Sequence, residues 1–117
     1  MAAAFHSNGK LRDRTKRTHK SISSIEIAER IRALGCPAPG TYKEFVKLAS
    51  IQEIDGVPKA MQMVRHLVAA QEATARTARR LFPLVNEAND QPTADLLTQR
   101  LEVHEKTAWM LRSLLED

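Results

Sequence analysis

Two polar residues occupy otherwise apolar helical patterns, and they are the first candidates for chemistry. Gln71 and His104 are the only obvious polar members of two seams whose other residues repeat at spacings of three and four. A di-iron centre inside a helical bundle uses Glu-x-x-His motifs, and this motif does not occur in the sequence. We therefore expect no iron centre inside one subunit. His104 is predicted to be a buried histidine with a hydrogen-bond partner, and metal ligation is the alternative.

Basic residues dominate the start of the chain. The 117 residues carry a formal net charge of +4, and residues 1–20 contain six basic residues against one acid, Asp13. The six are Lys10, Arg12, Arg14, Lys16, Arg17 and Lys20. Such a block stays solvated and attracts polyanions, and no interleaved aromatic residue is present to stack on bases. We predict that residues 1–25 form a disordered basic leader that contacts DNA phosphates without sequence readout; an uninformative solvated tail is the alternative.

Two further features have a structural and a functional interpretation. The basic cluster RTARR at residues 76–80 has Glu72 and Glu87 nearby, so a solvated helix face is favoured over a nucleic-acid site. Trp109 lies beside an apolar seam, which favours an anchor between helices or subunits over a ligand-binding role.

Length and composition predict one domain with a modest core. Cys36 is the single cysteine, so no internal disulfide and no thiolate metal site can form. No apolar run approaches the ~20 residues of a membrane span, and the first residues lack the apolar core of a signal peptide. We expect a cytoplasmic protein.

From Glu26 onward the pattern predicts helices and loops only. Gly35 is placed to end a first helix, whose apolar stripe runs through Ile27, Ile31 and Leu34. Thr41 and Glu44 form a predicted capping box at the start of a short helix. Asp55, Gly56 and Pro58 then predict a turn, with the proline in the first turn of the next helix.

Two long helices follow, each with one apolar seam. The first seam contains Met61, Val64, Val68, Gln71, Ala75, Ala78, Phe82 and Val85. The second contains Leu97, Leu101, His104, Ala108, Leu111 and Leu115. Pro83 predicts a kink, and the short connection NDQP at residues 89–92 predicts that the two helices run antiparallel. The two long helices make half of a four-helix bundle. We therefore expect the first helix of the bundle and the N-terminal part of its second helix to be missing.

Four segments, in order, resemble the Dps family, the ferritin-like proteins that protect DNA in starved bacteria. They are EIAERIRALG, APGTYKEF, GVPKAMQMVRHLV and TARRLFPLVNEANDQPTADLLTQRLEVHEKTAWMLRSLLE, within residues 26–117. The resemblance implies an all-α, ferritin-like four-helix bundle, here incomplete: the end of the second helix, a short connecting helix and two long antiparallel helices. It also implies a hollow shell of twelve copies, and oxidation of ferrous iron by peroxide at sites between subunits.

The resemblance also implies one iron ligand, Glu29, the glutamate of the AER motif. Ile25 stands where the family has a second acid four residues earlier. Phe5 and His6 are similar to a Phe-His pair of the family's first helix, but Ser7 replaces the expected tryptophan and the spacing to Glu29 is too short. No ligand role is assigned to His6, and His19 has no suitably spaced partner. We therefore expect an incomplete ferroxidase site and a chain that is inactive alone.

The resemblance favours a stress-response protein of the bacterial cytoplasm or nucleoid that sequesters iron and protects DNA. It implies a homo-oligomer, although the incomplete bundle predicts that this chain does not assemble into the shell by itself. The alternative is a non-catalytic helical module with a basic N-terminal tail that binds DNA or intact family subunits. Truncation, frameshift and divergence all stay open as origins of the altered N-terminal part.

Overall fold

A computed structural model describes residues 24–116, and within that range the secondary structure is helical, with no strand. Helix α1 covers residues 24–33 of this range, and α2 is Tyr42–Leu48. The long helices are α3, Ala60–Glu87, and α4, Gln91–Ser113. The all-helical prediction is confirmed. Across the described residues no helix combines the length and the apolar character that crossing a membrane requires.

Helix α1 ends as its sequence predicts. Gly35 adopts a φ of +91°, in the left-handed region that favours glycine. Its amide donates to the Arg32 carbonyl at 2.9 Å, and the Cys36 amide donates to the Ile31 carbonyl at 3.2 Å. This pair of bonds is a Schellman motif, which satisfies carbonyls that the helix leaves without partners.

The predicted capping box at α2 is also confirmed. Thr41 Oγ1 accepts from the Glu44 amide at 3.2 Å, and Glu44 Oε2 accepts from the Thr41 amide at 2.9 Å. The same carboxylate oxygen accepts from the Gly40 amide at 2.8 Å. Hydrogen bonds from the Gly40 and Thr41 amides and the Thr41 side chain lower the Glu44 pKa, because they stabilise its ionised form.

The start of α3 differs from the prediction in one respect. Gly56 turns with a φ of +82°, as expected for the predicted turn. The N-cap is Lys59, whose amide donates to Gln62 Oε1 at 3.2 Å. Pro58 therefore precedes the N-cap, and its assignment to the first helical turn was wrong. Its fixed φ suits the extended chain entering the helix as well as it would suit a first turn.

The connection between the long helices is short because two capping motifs share it. Asn89 adopts a φ of +53°, and its amide donates to the Asn86 carbonyl at 3.1 Å. The Asp90 amide donates to the Val85 carbonyl at 3.0 Å, completing a second Schellman motif. Asp90 is also the N-cap of α4, where its Oδ1 accepts from the Thr93 amide at 3.2 Å. The chain reverses here, and α3 and α4 form an antiparallel hairpin, as predicted.

Small residues line the contact between α3 and α4. The buried apolar residues of the described chain are Val68, Ala75, Ala78, Ala94 and Ala108. They lie on the two predicted seams or continue their spacing, so the seam assignments are largely confirmed. Met61, at the start of the first seam, is 47% exposed. Helix α3 continues through Pro83 to Glu87, and the kink at this residue stays a prediction.

The chain divides into two compact units, with the boundary between Phe45 and Val46. The first unit contains α1, where the predicted apolar stripe is only partly buried. Ile31 is half-buried, whereas Ile27 is 40% and Leu34 55% exposed. The helical spacing predicts a shared face and not what covers it, so the stripe itself stays a prediction.

Candidate functional site

The two polar seam residues meet across the hairpin. His104 Nδ1 lies 2.6 Å from Gln71 Oε1, which joins α4 to α3. One turn earlier on α4, Arg100 NH2 lies 3.3 Å from His104 Nε2. The three residues are half-buried. The predicted hydrogen-bond partner of His104 is thus present, and both ring nitrogens are engaged in contacts with protein groups.

The neighbours of His104 determine its protonation state. A guanidinium can only donate, so Nε2 must accept from Arg100, and the ring proton must reside on Nδ1 and be donated to Gln71 Oε1. The imidazole is therefore neutral. Burial lowers the pKa of His104, and the positive charge of Arg100 lowers it further. With both nitrogens occupied, this ring is a structural hydrogen-bonding group and not a free metal ligand.

A charged groove of about 450 Å³ runs along one side of the hairpin beside His104. Two ion pairs cross it: Arg112 NH1 bonds Glu72 Oε1 at 2.7 Å, and Arg79 bonds Glu105. Arg76 lines the groove between them. All four paired side chains are 41–55% exposed, so each pair contributes little to stability. The cluster at residues 76–80 is partly paired and solvated, in agreement with its predicted role.

Glu29, the predicted iron ligand, is an exposed residue of α1. Among residues 24–116, no group of three or more His, Cys, Asp or Glu side chains converges in a way that could hold a metal ion. The assignment of Glu29 as an iron ligand therefore stays a prediction, with no second ligand assigned among the described residues. The donors present do not by themselves fit a di-iron centre.

The other predicted site residues lie outside the described range. These are the six basic residues proposed to contact DNA: Lys10, Arg12, Arg14, Lys16, Arg17 and Lys20. His6 and His19 also lie there. Trp109 is described and is 62% exposed, so it does not anchor α3 to α4. The anchor between subunits and the ligand-binding role both stay predictions.

Arg100 is the residue that sequence reasoning missed. Its Nε is buried without a hydrogen-bond partner among the described groups, and its contact to His104 completes the polar cluster. The available signal was its position four residues before His104, which places both side chains on neighbouring turns of one helix face. The ion-pair partners of Arg79 and Arg112 had no such local signal.

The family model for a ferritin-like domain matches residues 24–117. A low temperature-induced protein of Nostoc sp. is 45% identical over 92 residues, covering 77% of this chain and 51% of that protein. DNA protection during starvation protein 2 of Bacillus anthracis is 36% identical over 98 residues, covering 84% of this chain and 67% of that protein. The chain thus spans about half of the first relative and two thirds of the second.

The solved structures agree with these matches. The crystal structure of a Dps protein from Bacillus brevis superposes with a TM-score of 0.77 at 28% identity, covering 92% of this chain and 73% of that chain. Dps from Listeria innocua superposes with a TM-score of 0.76 at 26% identity. The expected ferritin-like helical fold is confirmed, and the chain belongs to the Dps family of ferritin-like proteins.

Proposed function

We propose that this protein takes part in iron sequestration and DNA protection, as its family does. We further propose that the chain does not form a ferroxidase centre by itself. The observation that carries this proposal is the position of Glu29. It lies exposed on α1, inside the segment EIAERIRALG, and it is the one family ligand with a matching residue here. The name of the Bacillus anthracis relative, which refers to DNA protection during starvation, supports the same role.

A single exposed carboxylate is insufficient for the chemistry. Oxidation of two ferrous ions by peroxide requires several oxygen and nitrogen donors at bonding distance, which hold the ions together during electron transfer. Ile25 offers no donor atom, and no histidine of the described range lies near Glu29 in the sequence. Within the described residues Glu29 is therefore the one candidate ligand, and the remaining donors would have to come from residues 1–23 or from another chain.

The test is peroxide-driven oxidation of ferrous iron, followed by absorbance, together with size-exclusion chromatography of the purified chain. We expect oxidation no faster than in buffer and no peak of the size of a twelve-subunit shell. Glu29→Gln should leave this low rate unchanged, as should Glu26→Gln on the same helix. Fast oxidation from a shell-sized peak that Glu29→Gln abolishes and Glu26→Gln retains would contradict the proposed incomplete centre.

A second candidate function is that of a non-catalytic module that binds DNA through its basic leader. The charge distribution favours it, because residues 1–20 carry six basic residues and one acid, whereas the rest of the chain carries 12 basic and 13 acidic residues. Binding to phosphates releases counterions, so affinity should fall steeply with salt and be equal for duplexes of unrelated sequence.

Fluorescence anisotropy with labelled duplexes at several salt concentrations tests this candidate. Replacing the six leader residues Lys10, Arg12, Arg14, Lys16, Arg17 and Lys20 with glutamine should abolish binding. The double change Arg76→Gln and Arg80→Gln on α3 is the matched control and should have little effect. Binding that survives the leader change and is lost in the control would move the site to α3.

A further inference from the structure

The hydrogen bonds around His104 require a neutral ring. Nε2 faces a guanidinium donor at 3.3 Å, and Nδ1 faces the amide oxygen of Gln71 at 2.6 Å. A second ring proton would sit on Nε2 and point at another donor, with two positive charges in contact. One of the two contacts would then have to break. The arrangement is consequently compatible with one protonation state of the imidazole only.

The charged groups around this ring are four arginines and two carboxylates. Those lining the groove that it shares are, from α3, Glu72, Arg76 and Arg79, and from α4, Glu105 and Arg112, in addition to Arg100. Both carboxylates among them already accept from arginines, Glu72 from Arg112 and Glu105 from Arg79. Within the described residues, a proton on Nε2 therefore faces the Arg100 guanidinium, and no hydrogen bond joins His104 to either carboxylate.

Arg100 is also held by this ring. Its Nε is buried without a partner, and the acceptor that the described residues give its guanidinium is His104 Nε2. Once Nε2 is protonated, Arg100 loses that acceptor and is repelled, so moving into solvent lowers its energy. The contact between α3 and α4 would change with it, because Arg100 lies beside the link from His104 to Gln71.

We propose that Gln71, His104 and Arg100 form an acid-sensitive latch between α3 and α4, closed while the imidazole is neutral and released when it takes up a proton. The latch lies between two helices that have few other strong contacts among buried residues. The buried residues of the hairpin are one valine and four alanines, and the two ion pairs across it are exposed. The half-buried Gln71–His104 bond is thus a polar link between the two helices in addition to their apolar seams.

The direction of the pH effect follows from linkage. Burial and Arg100 lower the pKa of His104 in the folded protein below its ordinary value of about 6.5. The unfolded chain therefore binds the proton more readily than the folded one. The stabilisation is complete above about pH 6.5 and is lost progressively as the pH falls from that value through the lowered folded pKa.

Thermal unfolding of the full chain, followed by circular dichroism between about pH 7.5 and about pH 5.5, tests the latch. The melting temperature of the wild type should fall by a few degrees over this range. His104→Gln should have a lower melting temperature at neutral pH and lose most of the acid dependence. His66→Gln is the matched control, because His66 is an exposed histidine of α3, and it should follow the wild type.

Arg100→Gln provides a second, independent variant. It removes the positive charge facing Nε2, so the His104 pKa should rise toward the ordinary value and the acid dependence should shrink. NMR titration of the histidine ring protons reads this pKa directly, even if His104→Gln does not fold. Titration of His104 at or above the ordinary histidine value of about 6.5 in the wild type, or a His104→Gln variant with full acid dependence, would overturn the proposal.

Discussion

Asp90 shows how much structure one side chain and one amide can determine. Its amide donates to the Val85 carbonyl and closes the Schellman motif that ends α3. Its carboxylate accepts from the Thr93 amide at 3.2 Å and also bonds the Thr93 hydroxyl, at the start of α4. The negative charge further lies at the positive end of the α4 dipole. Both long helices therefore depend on this residue.

Replacing the Asp90 carboxylate should destabilise the hairpin measurably. We expect Asp90→Ala to lower the free energy of unfolding by about 0.5–2 kcal/mol, since the first turn of α4 loses its cap. Asp90→Asn retains the acceptor oxygen and removes only the charge, so it should cost less. Urea unfolding, followed by circular dichroism at the helical minimum of about 222 nm, measures the free energy of unfolding of both variants. Equal losses in the two variants would assign the effect to charge and not to capping.

At the scale of elements, alanines are the most buried residues of the α3–α4 hairpin, whereas most of the larger seam side chains are half-buried. Ala75 and Ala108 are 4% and 3% exposed, and no side chain of the described residues is less than 2% exposed. Small residues let the two helix backbones approach closely, so dispersion between them replaces the burial of bulky groups. A larger side chain at this contact has to displace the facing helix unless it turns into the groove that Ala75 and Ala108 also line.

Enlarging the alanine contact should therefore push the helices apart. Ala75→Leu inserts three carbon atoms at a buried position, and we expect a loss of about 1–3 kcal/mol in the free energy of unfolding. Ala69→Leu makes the same change at an exposed position of the same helix and should be nearly neutral, because leucine is a good helix former. Urea unfolding compares the two. A neutral Ala75→Leu would show that the described contact is loosely packed.

At the scale of the whole molecule, large apolar side chains remain on the surface of the described chain. On the hairpin these include Leu67, Leu84, Trp109, Met110 and Leu114, each at least 50% exposed. The family implies oligomeric assembly, which would bury surfaces of this kind. If copies of this chain associate through these side chains, the burial of apolar surface would stabilise the folded state.

The melting temperature should accordingly depend on protein concentration. If association stabilises the folded state, an increase of about 20-fold in protein concentration should raise the melting temperature, since mass action favours the associated form. Circular dichroism melts at both concentrations, with sedimentation velocity to report the molecular mass, test this. A monomer with a melting temperature independent of concentration would show that the exposed side chains do not drive association.

The sequence alone determined the elements and their ends. The three-and-four spacing predicted both long seams, and local side-chain signals predicted the left-handed Gly35, the Thr41–Glu44 capping box and the reversal at residues 89–92. These signals are reliable because each acts over four or five residues, through hydrogen bonds that form whatever the distant chain does. Where the local rule permitted two outcomes, as for Pro58 before or within the helix, the prediction was wrong.

Only the tertiary structure decided which side chains meet across the hairpin. Gln71 and His104 are 33 positions apart, and Arg112 and Glu72 are 40 apart. Their pairing depends on the register that the turn at Asn89 and Asp90 sets, and on how closely the alanines let the helices approach. Periodicity places a residue on a face, but it does not state which residue of the facing helix lies at the same height. For that reason the sequence predicted that His104 has a partner, and the packing of α3 against α4 determined that the partner is Gln71.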